Sequence, residues 1–495
     1  MRKSILFLLS LLLVASLLLA ACGGATTEAP AEEEPMDEAP AEEAAPPDEE
    51  EPMDEEEPMD EESTGEKQVL NVWSFTNEIM TMAVAYEGKN PDVDVVYTMI
   101  PMTDGEYQTK LKASIGTADV PDVVALEAAF VKEWVEADFL ADLNDLLPYA
   151  EELQTYPSVT EVGTHDGITK GFSYQSTPGG FFYRRSIASE CLGTDDPAEV
   201  QAMVADLEVF KETAATIKEC SDGDYYMVGT SAALFNPFLA NRSQPWVVDD
   251  TLVIDPKVEE FVDFAKLFRE EGYESQAEQW SEGWFAGMSD TLVDAEGTPK
   301  KIFGYFLPTW GLPYVLQPNS GDTGGDWALI SGPLAYQWGG TWVGAMADSP
   351  NLELAKDFIR FVALDEENLT NWATGVYTNE YLKAIDPSVP DDQAQAPGDF
   401  VSSAVVVEKI TPTFDGSALY EWLGGQNNYE AFGMAAPNVN GALLTGSDDA
   451  IQRSLQSALA QYLQDEITKD EMWTLWLDNV RSEFPELIIP DAPGS

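Results

Sequence analysis

The sequence predicts an α/β protein of two lobes, each a mostly parallel sheet flanked by helices, with a helical C-terminal part. Three observations support this fold class. Strand-like and helix-like segments alternate from residue 69 to residue 126, as in βαβ units. The chain from residue 67 to residue 495 is long enough for two hydrophobic cores. Leucines recur at helical spacing near the C-terminal end.

Three strands are predicted at the start of the folded part. Apolar and polar residues alternate over residues 69–75, residues 92–100 are rich in Val and Tyr, and residues 122–126 form a short apolar run. A Pro-Gly-Gly turn within residues 176–180 separates two extended stretches. We expect the chain to cross there into the second lobe.

The rest of the folded part is mostly helical. Helices are predicted over residues 197–218, 257–271 and 351–361 and from Asp448 onward, and strands over residues 301–306 and 327–330. The last helix presents one apolar stripe formed by Ile451, Leu455, Leu459 and Leu463. A second crossing is expected at Gly339 and Gly340. The predicted lobes are residues 67–177 with 338–373, and residues 178–337 with 374–495.

The N-terminal segment has the pattern of an export signal. Arg2 and Lys3 precede an apolar run over residues 5–21. The run closes with Leu-Ala-Ala-Cys-Gly at residues 19–23, which resembles the lipobox of bacterial lipoproteins. That resemblance implies cleavage before Cys22 and a lipid attached to its sulfur. The alternative is an uncleaved transmembrane helix, since the run approaches the roughly 20 residues that span a bilayer.

Residues 23–66 are predicted to be a disordered acidic tether. The unit Glu-Pro-Met-Asp-Glu begins at Glu34, Glu51 and Glu57, and the tract has almost no aliphatic or aromatic side chains. The whole chain has 25 Lys and Arg against 89 Asp and Glu, a formal net charge of -64. This balance excludes nucleic acid as an expected partner, because phosphate binding depends on Lys and Arg.

Few residues offer catalytic or metal chemistry. His165 is the one histidine, so the chain has no His/Cys cluster for zinc and no Ser-His or Cys-His pair, and it lacks the phosphate-loop and nucleophile-elbow motifs. We expect no cofactor, no metal and no catalytic residue. Cys191 and Cys220 flank a predicted helix and fit either a disulfide or two buried free thiols.

Tryptophans stand where a core would rarely need them. Trp73 ends a strand, and Trp310, Trp338 and Trp342 lie among glycines and prolines. An indole face packs on the C–H face of a pyranose while polar neighbours bind its hydroxyls, so a sugar site needs both types of residue. The polar candidates are Asn77, Glu127 and Gln175. The alternative for any one tryptophan is a core or interface position.

Several segments together resemble the family-1 extracellular solute-binding proteins of ABC importers, the group that includes maltose-binding protein. They are residues 69–77, 122–130 and 179–187, and Gly339-Gly340-Thr341-Trp342 before the helix over 351–361. The similarity extends across nearly all of the folded part. It implies the type II periplasmic-binding-protein-like fold, with a ligand held between the two lobes.

The resemblance also implies site residues and partners. By position, Trp73, Asn77, Glu127 and Tyr183 would face the cleft, Trp310 would be an aromatic platform, Trp338 and Trp342 would flank the second crossing, and Asn438 is a further candidate. The expected function is that of a monomeric lipoprotein, anchored through Cys22 on the outer face of the cell membrane. It would capture a carbohydrate and deliver it to the transmembrane subunits of an ABC permease.

Two other classes of function fit parts of the sequence. A secreted glycoside hydrolase or lyase would use the same aromatic residues together with a pair of carboxylates. A structural adhesin would show repeats or extended β patterning in its folded part, whereas the repeats here occur only in the tether. The sequence therefore favours a binding protein over both.

Overall fold

The computed structural model describes residues 67–391, 393 and 398–493. The predicted export segment, Cys22 and the acidic tether lie outside these residues. Within the described ranges, no helix combines the length and the apolar character needed to cross a bilayer.

Strands and helices follow the predicted alternation. The strands are Gln68–Ser74, Val93–Met99, Val123–Glu127, Thr164–His165, Ile168–Thr169, Phe172–Ser173, Gly179–Arg184, Tyr225–Tyr226, Val247–Val248, Thr251–Leu252, Lys301–Ile302, Gly304–Pro308, Trp327–Ile330 and Thr341–Ala345. The α-helices are Asn77–Lys89, Glu106–Ser114, Val131–Glu136, Leu147–Glu152, Pro157–Val162, Arg185–Cys191, Pro197–Met203, Leu207–Cys220, Phe235–Ala240, Pro256–Glu270, Glu282–Met288, Gln317–Asn319, Leu352–Leu364, Glu366–Ala373, Asn379–Ile385, Ala404–Ile410, Ala418–Trp422, Asn428–Ala435, Asp448–Leu463 and Lys469–Glu483. Short 3-10 turns lie at Thr103–Gly105, Asn144–Leu146, Ser231–Leu234, Thr411–Phe414 and Ala436–Asn438, and Leu312–Leu316 is a π-helical turn.

One predicted helix is divided. The segment predicted as a helix over residues 197–218 forms two helices, Pro197–Met203 and Leu207–Cys220. The second helix has its own start signal, because the Asp206 side chain accepts hydrogen bonds from the amides of Glu208 and Val209. The helical periodicity continues across this break, so the pattern of apolar residues alone does not reveal it.

The first sheet has five strands, in the order Val93–Met99, Gln68–Ser74, Val123–Glu127, Thr341–Ala345, Phe172–Ser173. Its first three strands run parallel, as the βαβ rhythm predicts. Thr341–Ala345 runs antiparallel to Val123–Glu127, because the chain returns through it from the other sheet. This antiparallel pairing places the start of the returning strand beside the C-terminal end of Val123–Glu127, with Thr341 opposite Glu127.

The second sheet differs from the predicted mostly parallel arrangement. Its order is Gly304–Pro308, Gly179–Arg184, Trp327–Ile330, and both pairings are antiparallel. The outer two strands run in the same direction, as expected for strands joined through a helical segment. The strand that arrives from the first sheet, Gly179–Arg184, is inserted between them in the opposite direction, and this insertion makes both pairings antiparallel.

Both sheets are covered on their two faces by apolar side chains. One hydrophobic core contains Leu70, Val72 and Val343 of the first sheet together with Phe182, Leu307 and Leu329 of the second. The other face of the first sheet packs Val124, Leu126 and Trp342 into a separate core, and the other face of the second sheet packs Phe181, Tyr183 and Phe306 into a third. This layering is typical of α/β proteins.

The chain crosses between the sheets at the two predicted places. The first crossing joins Phe172–Ser173 to Gly179–Arg184, and the second joins Trp327–Ile330 to Thr341–Ala345. The two crossings touch, since Pro178 and Gln337 form an antiparallel bridge. The amide of Trp338 also donates to the carbonyl of Thr177 at 3.2 Å.

A third extended segment, residues 399–403, runs beside the first crossing. Gln175 and Val401 form an antiparallel bridge, and the Ser402 amide donates to the carbonyl of Tyr174 at 2.9 Å. The Ser403 hydroxyl donates to the carbonyl of Leu153 at 2.7 Å. The lobe boundaries predicted above assign this segment to the second lobe, whereas its hydrogen bonds join it to the first crossing and to the first lobe.

Two buried carboxyl groups meet at these crossings. The Gln175 side-chain amide donates to Glu78 Oε2 at 3.3 Å and to Asp399 Oδ2 at 2.9 Å. Tyr174 and Tyr314 donate hydrogen bonds to Glu78, and the Trp372 indole donates to Asp399. Burial, followed by the charge of Asp399, raises the pKa of Glu78 to about 8, and burial also raises the pKa of Asp399.

Cys191 and Cys220 form a disulfide, one of the two alternatives that the sequence left open. Their sulfur atoms lie 2.09 Å apart. The bond joins the end of helix Arg185–Cys191 to the end of helix Leu207–Cys220, both on the second-sheet side of the molecule.

Raising the pH should destabilise the folded chain through Glu78. Its pKa is about 8 in the folded chain and 4.5 in its ordinary state, so between these values the folded chain keeps a proton that the unfolded chain loses. The resulting stability is fully present below pH 4.5 and is lost as the pH rises through 8. We expect the melting temperature of the Glu78→Gln variant to fall less than that of the unchanged protein when scanning calorimetry is run at rising pH in this window.

The Glu408→Gln variant is the matched control for this experiment, because the Glu408 side chain is exposed. Its melting temperature should fall with pH as much as that of the unchanged protein. If the melting temperatures of the unchanged protein and of Glu78→Gln fell equally with rising pH, the Glu78 carboxyl group would not be the group that holds the proton.

Candidate functional site

A cavity of about 290 Å³ lies where the first sheet, the second crossing and the helix Asp448–Leu463 meet. The C-terminal end of strand Val123–Glu127 supplies one wall, and the start of helix Asp448–Leu463 supplies another. We call it the central cavity, and its lining consists of Glu127, Ala128, Ala129, Asn236, Gln279, Gln337, Trp338, Gly339, Leu444, Thr445, Asp448, Asp449, Gln452, Arg453 and Gln456.

Amide side chains dominate the polar lining of the central cavity. Asn236, Gln279, Gln337 and Gln456 reach it from four different segments. In the described part of the chain, none of these four side-chain amides hydrogen-bonds to another residue. Each offers both a donor and an acceptor, and each can exchange its hydrogen bonds to water for hydrogen bonds to a polar ligand.

Two carboxyl groups of the central cavity have raised pKa values. Burial raises the pKa of Glu127 to about 7, although the amide of Ala129 donates a hydrogen bond to it. Burial likewise raises the pKa of Asp448 to about 6, against the opposing charge of Arg242. Near neutral pH these groups can therefore accept a hydrogen bond as carboxylates or donate one as acids.

The cationic side chain of the central cavity is already paired. Arg453 Nη2 lies 3.0 Å from Asp449 Oδ2 on the same helix. Arg242 approaches the cavity from behind, 3.5 Å from Asp448, and its guanidinium stacks over the Trp246 ring. Among the described residues, no group of three or more His, Cys, Asp or Glu side chains is arranged to hold a metal ion.

Three tryptophans form an aromatic group at the side of the central cavity. The Trp310 indole donates to the carbonyl of Trp338 at 2.9 Å, and their ring centroids lie 5.2 Å apart. The Trp280 ring lies parallel to Trp310 at 6.5 Å and packs against Trp338 at 5.9 Å. Trp338 lines the central cavity itself, while Trp310 supports it through the crossing backbone.

The structure brings together three of the nine predicted ligand residues: Glu127, Trp310 and Trp338. Trp73 is half-buried at the end of its strand and packs against the core of the first sheet. Asn77 is the exposed first residue of helix Asn77–Lys89. Gln175 is 5 % exposed and its amide is used by the two carboxyl groups at the crossing. These three side chains do not line the central cavity.

The other three predicted ligand residues lie elsewhere. Tyr183 is fully buried among the second-sheet aromatics and its hydroxyl donates to the carbonyl of Asp195. Trp342 is 2 % exposed and its indole donates to the carbonyl of Val159. Strand alternation explains both, because neighbouring side chains point to opposite faces and both faces are covered. Asn438 is exposed and donates to the carbonyl of Met434.

Sequence reasoning missed Asn236, Gln279, Trp280 and Asp448. Asp448 begins a helix that the apolar spacing predicts, but its placement opposite Glu127 depends on contacts between segments far apart in sequence. Trp280 carried a local signal, since it lies in a polar stretch just before the Ser281 cap of helix Glu282–Met288. No feature of the sequence distinguishes Asn236 and Gln279 from other surface amides.

Comparisons with known proteins agree with this geometry. A family model described as "Bacterial extracellular solute-binding protein" matches residues 81–401. A family-1 extracellular solute-binding protein has a similar fold, with a TM-score of 0.68 and 16 % identity over 84 % of this chain and 100 % of that one. No curated protein sequence matches the chain.

Two further solved structures share the fold. One is an ABC transporter associated binding protein from B. animalis subsp. lactis Bl-04, with a TM-score of 0.62 and 19 % identity over 86 % of this chain and 100 % of that one. The other is the sugar-binding protein MalE from Xanthomonas citri, with a TM-score of 0.62 and 15 % identity over 85 % of this chain and 97 % of that one. The family match spans more than half of the sequence, and the chain therefore belongs to the bacterial extracellular solute-binding proteins.

Proposed function

We propose that the chain captures a carbohydrate in the central cavity and delivers it to an ABC permease. The observation that carries this proposal is the set of four amides without protein partners, Asn236, Gln279, Gln337 and Gln456, beside the Trp338 ring. Neutral donors and acceptors next to an aromatic face suit a ligand with many hydroxyl groups and apolar C–H faces. Three carboxyl groups, Glu127, Asp448 and Asp449, line this cavity beside the single cation Arg453, and this balance disfavours an anionic ligand.

Binding would change the relative populations of open and closed arrangements of the two sheets. The cavity wall combines Glu127 at the end of the first sheet with Asn236 and Gln279 from segments that pack on the second-sheet side. A ligand that contacts both walls binds the closed arrangement better than the open one, and so shifts the population toward closure. The two crossings, which touch at Pro178 and Gln337, are the natural hinge.

Structural neighbours support carbohydrate as the ligand class. The neighbour from B. animalis subsp. lactis was solved in complex with beta-1,6-galactobiose, and the Xanthomonas citri neighbour is described as a sugar-binding protein. Since the chain belongs to an extracellular family, its site of action is outside the cytoplasm. We further propose a monomer held at the membrane surface by a lipid on Cys22.

Binding without catalysis is the expected behaviour, and one screen tests both parts. Isothermal titration calorimetry against a panel of neutral mono- and oligosaccharides should give saturable heats for at least one sugar. Chromatography of the same mixtures after prolonged incubation should return the sugar intact. Release of shorter products would instead assign Glu127 and Asp448, the two carboxyl groups with raised pKa values, to hydrolysis. Absence of heat across the whole panel would reject carbohydrate as the ligand.

Replacing Trp338 should weaken sugar binding, whereas replacing Trp342 should weaken the fold. Trp338→Ala removes an aromatic face of the cavity, and we expect a loss of about 1–3 kcal/mol in binding free energy. Because the Trp338 ring is partly buried against two cores, we also expect a loss of stability, smaller than that of Trp342→Ala. Trp342→Ala leaves a hole in a core, and we expect a loss of about 3–5 kcal/mol in unfolding free energy. Calorimetric titration and urea unfolding measure the two effects.

The Tyr149→Ala variant is the control for Trp338→Ala, since Tyr149 is an exposed aromatic residue that lines none of the cavities described here. It should bind sugar like the unchanged protein. A Trp338→Ala variant with unaltered affinity would remove this ring from the proposed site.

Anchoring through Cys22 predicts a simple change in location. Cys22→Ser removes the sulfur that would carry the lipid, so the variant should leave the membrane fraction or accumulate uncleaved. Mass spectrometry of the unchanged protein should find acyl groups on Cys22. Unmodified Cys22 in protein extracted from membranes would contradict the anchor while leaving the binding function intact.

A further inference from the structure

The central cavity continues in two directions. A second cavity of about 340 Å³ shares Gln279 and Gln456 with it and extends along Trp280, and we call it the second-sheet cavity. A third cavity of about 760 Å³ shares Ala129, Asp449 and Arg453 with the central cavity on its other side, and we call it the first-sheet cavity. Because the central cavity shares lining residues with each of the other two, the three cavities adjoin with the central cavity in the middle, and we call them together the groove.

Trp280 stands at the junction of the central and second-sheet cavities. Its side chain is 48 % exposed although its ring contacts Trp338 and Trp284. Its backbone φ is 69°, in the left-handed region that residues other than glycine rarely adopt. Sparsely populated backbone conformations recur at ligand clamps, where the surrounding structure maintains them. A large exposed ring held in this way is available to a ligand that passes from one cavity to the next.

The second-sheet cavity differs in chemistry from the central one. The apolar part of its lining consists of Phe235, Phe261, Leu459 and Leu463 together with the Trp280 ring. This lining can pack on the C–H face of a further sugar unit, and it offers fewer partners for the hydroxyl groups of that unit. Its cation, Arg269, already contacts Glu274 at 2.6 Å.

The first-sheet cavity likewise offers no unpaired cation. Lys112 Nζ lies 2.6 Å from Glu133, and Arg453 is held by Asp449. Along the described groove, each Lys or Arg of the lining is thus matched by a carboxylate. A uronic acid or a phosphorylated sugar needs a cation to compensate its charge, and every cation of this lining already faces a carboxylate. An uncharged sugar chain needs no such cation.

We propose that the ligand is an uncharged oligosaccharide that runs from the central cavity past Trp280 into the second-sheet cavity, and that Trp280 selects for chain length. This inference rests on the proposed carbohydrate function. The first sugar units contact Trp338 and the amides of the central cavity, and the next unit packs on Trp280. Shorter sugars fill the central cavity alone and gain nothing from Trp280.

The test compares affinities along three neutral series, gluco-, galacto- and xylo-oligosaccharides of one to five units, using the full chain. In the series that binds, affinity should rise once the chain passes two units. Trp280→Ala should reduce the affinity for the longer members by about tenfold more than it reduces the affinity for the disaccharide, which loses only the indirect support of Trp338 by the Trp280 ring. Tyr149→Ala should change neither.

A second variant adds a large side chain to the second-sheet cavity, whereas Trp280→Ala removes one. Ala232 lines the second-sheet cavity, so Ala232→Trp should block that cavity and abolish the gain with chain length while sparing disaccharide binding. Equal affinities for disaccharide and tetrasaccharide in the unchanged protein would overturn the inference and leave the carbohydrate function standing. An equal loss for short and long sugars in Trp280→Ala would also overturn it. Failure of all three series to bind would reject the proposed function together with the inference.

Discussion

Buried backbone at the first crossing constrains much of this molecule. Residues 174–177 are buried, yet they belong to neither sheet, so their amides and carbonyls need partners elsewhere. The carbonyl of Tyr174 and the amide of Ser176 find theirs in the segment around Phe400 and Ser402. The carbonyl of Thr177 accepts from the amide of Trp338 on the second crossing. The hydrogen bonds that these buried backbone groups require therefore fix both the packing of the segment 399–403 and the position of the cavity wall at Gln337 and Trp338.

The sequence predicted individual strands and helices better than it predicted which of them lie next to one another. Alternation over Gln68–Ser74 and the leucine spacing of Asp448–Leu463 are properties of single elements, and both elements are present. The antiparallel second sheet was not predictable in this way, because the insertion of Gly179–Arg184 between two strands depends on the path of the whole chain. The same limit explains why Tyr183 and Trp342 were wrongly predicted to face the ligand. Their residue types suit a sugar site, but their strands direct both side chains into hydrophobic cores.

Charge is distributed in a way that matches an uncharged ligand. The chain carries a formal net charge of -64, and the cations that line the three cavities, Arg453, Lys112 and Arg269, are each held in an ion pair. Neutral amides remain as the polar groups without protein partners. Burial also favours the protonated forms of Glu127 and Asp448, which lowers the negative charge of the cavity and allows both groups to exchange hydrogen bonds with hydroxyls.

The hydrogen bond from the Trp310 indole to the carbonyl of Trp338 joins the aromatic group to the backbone of the second crossing. Gly339 follows Trp338 with a φ of 77°, and a Cβ atom at Gly339 would lie 2.7 Å from the indole nitrogen of Trp310. The ring and the returning backbone are therefore too closely fitted to shift separately. A rotation of one sheet relative to the other about the crossings would therefore move the aromatic group together with this backbone. In the proposed function, a ligand packed on these rings would act directly on that rotation.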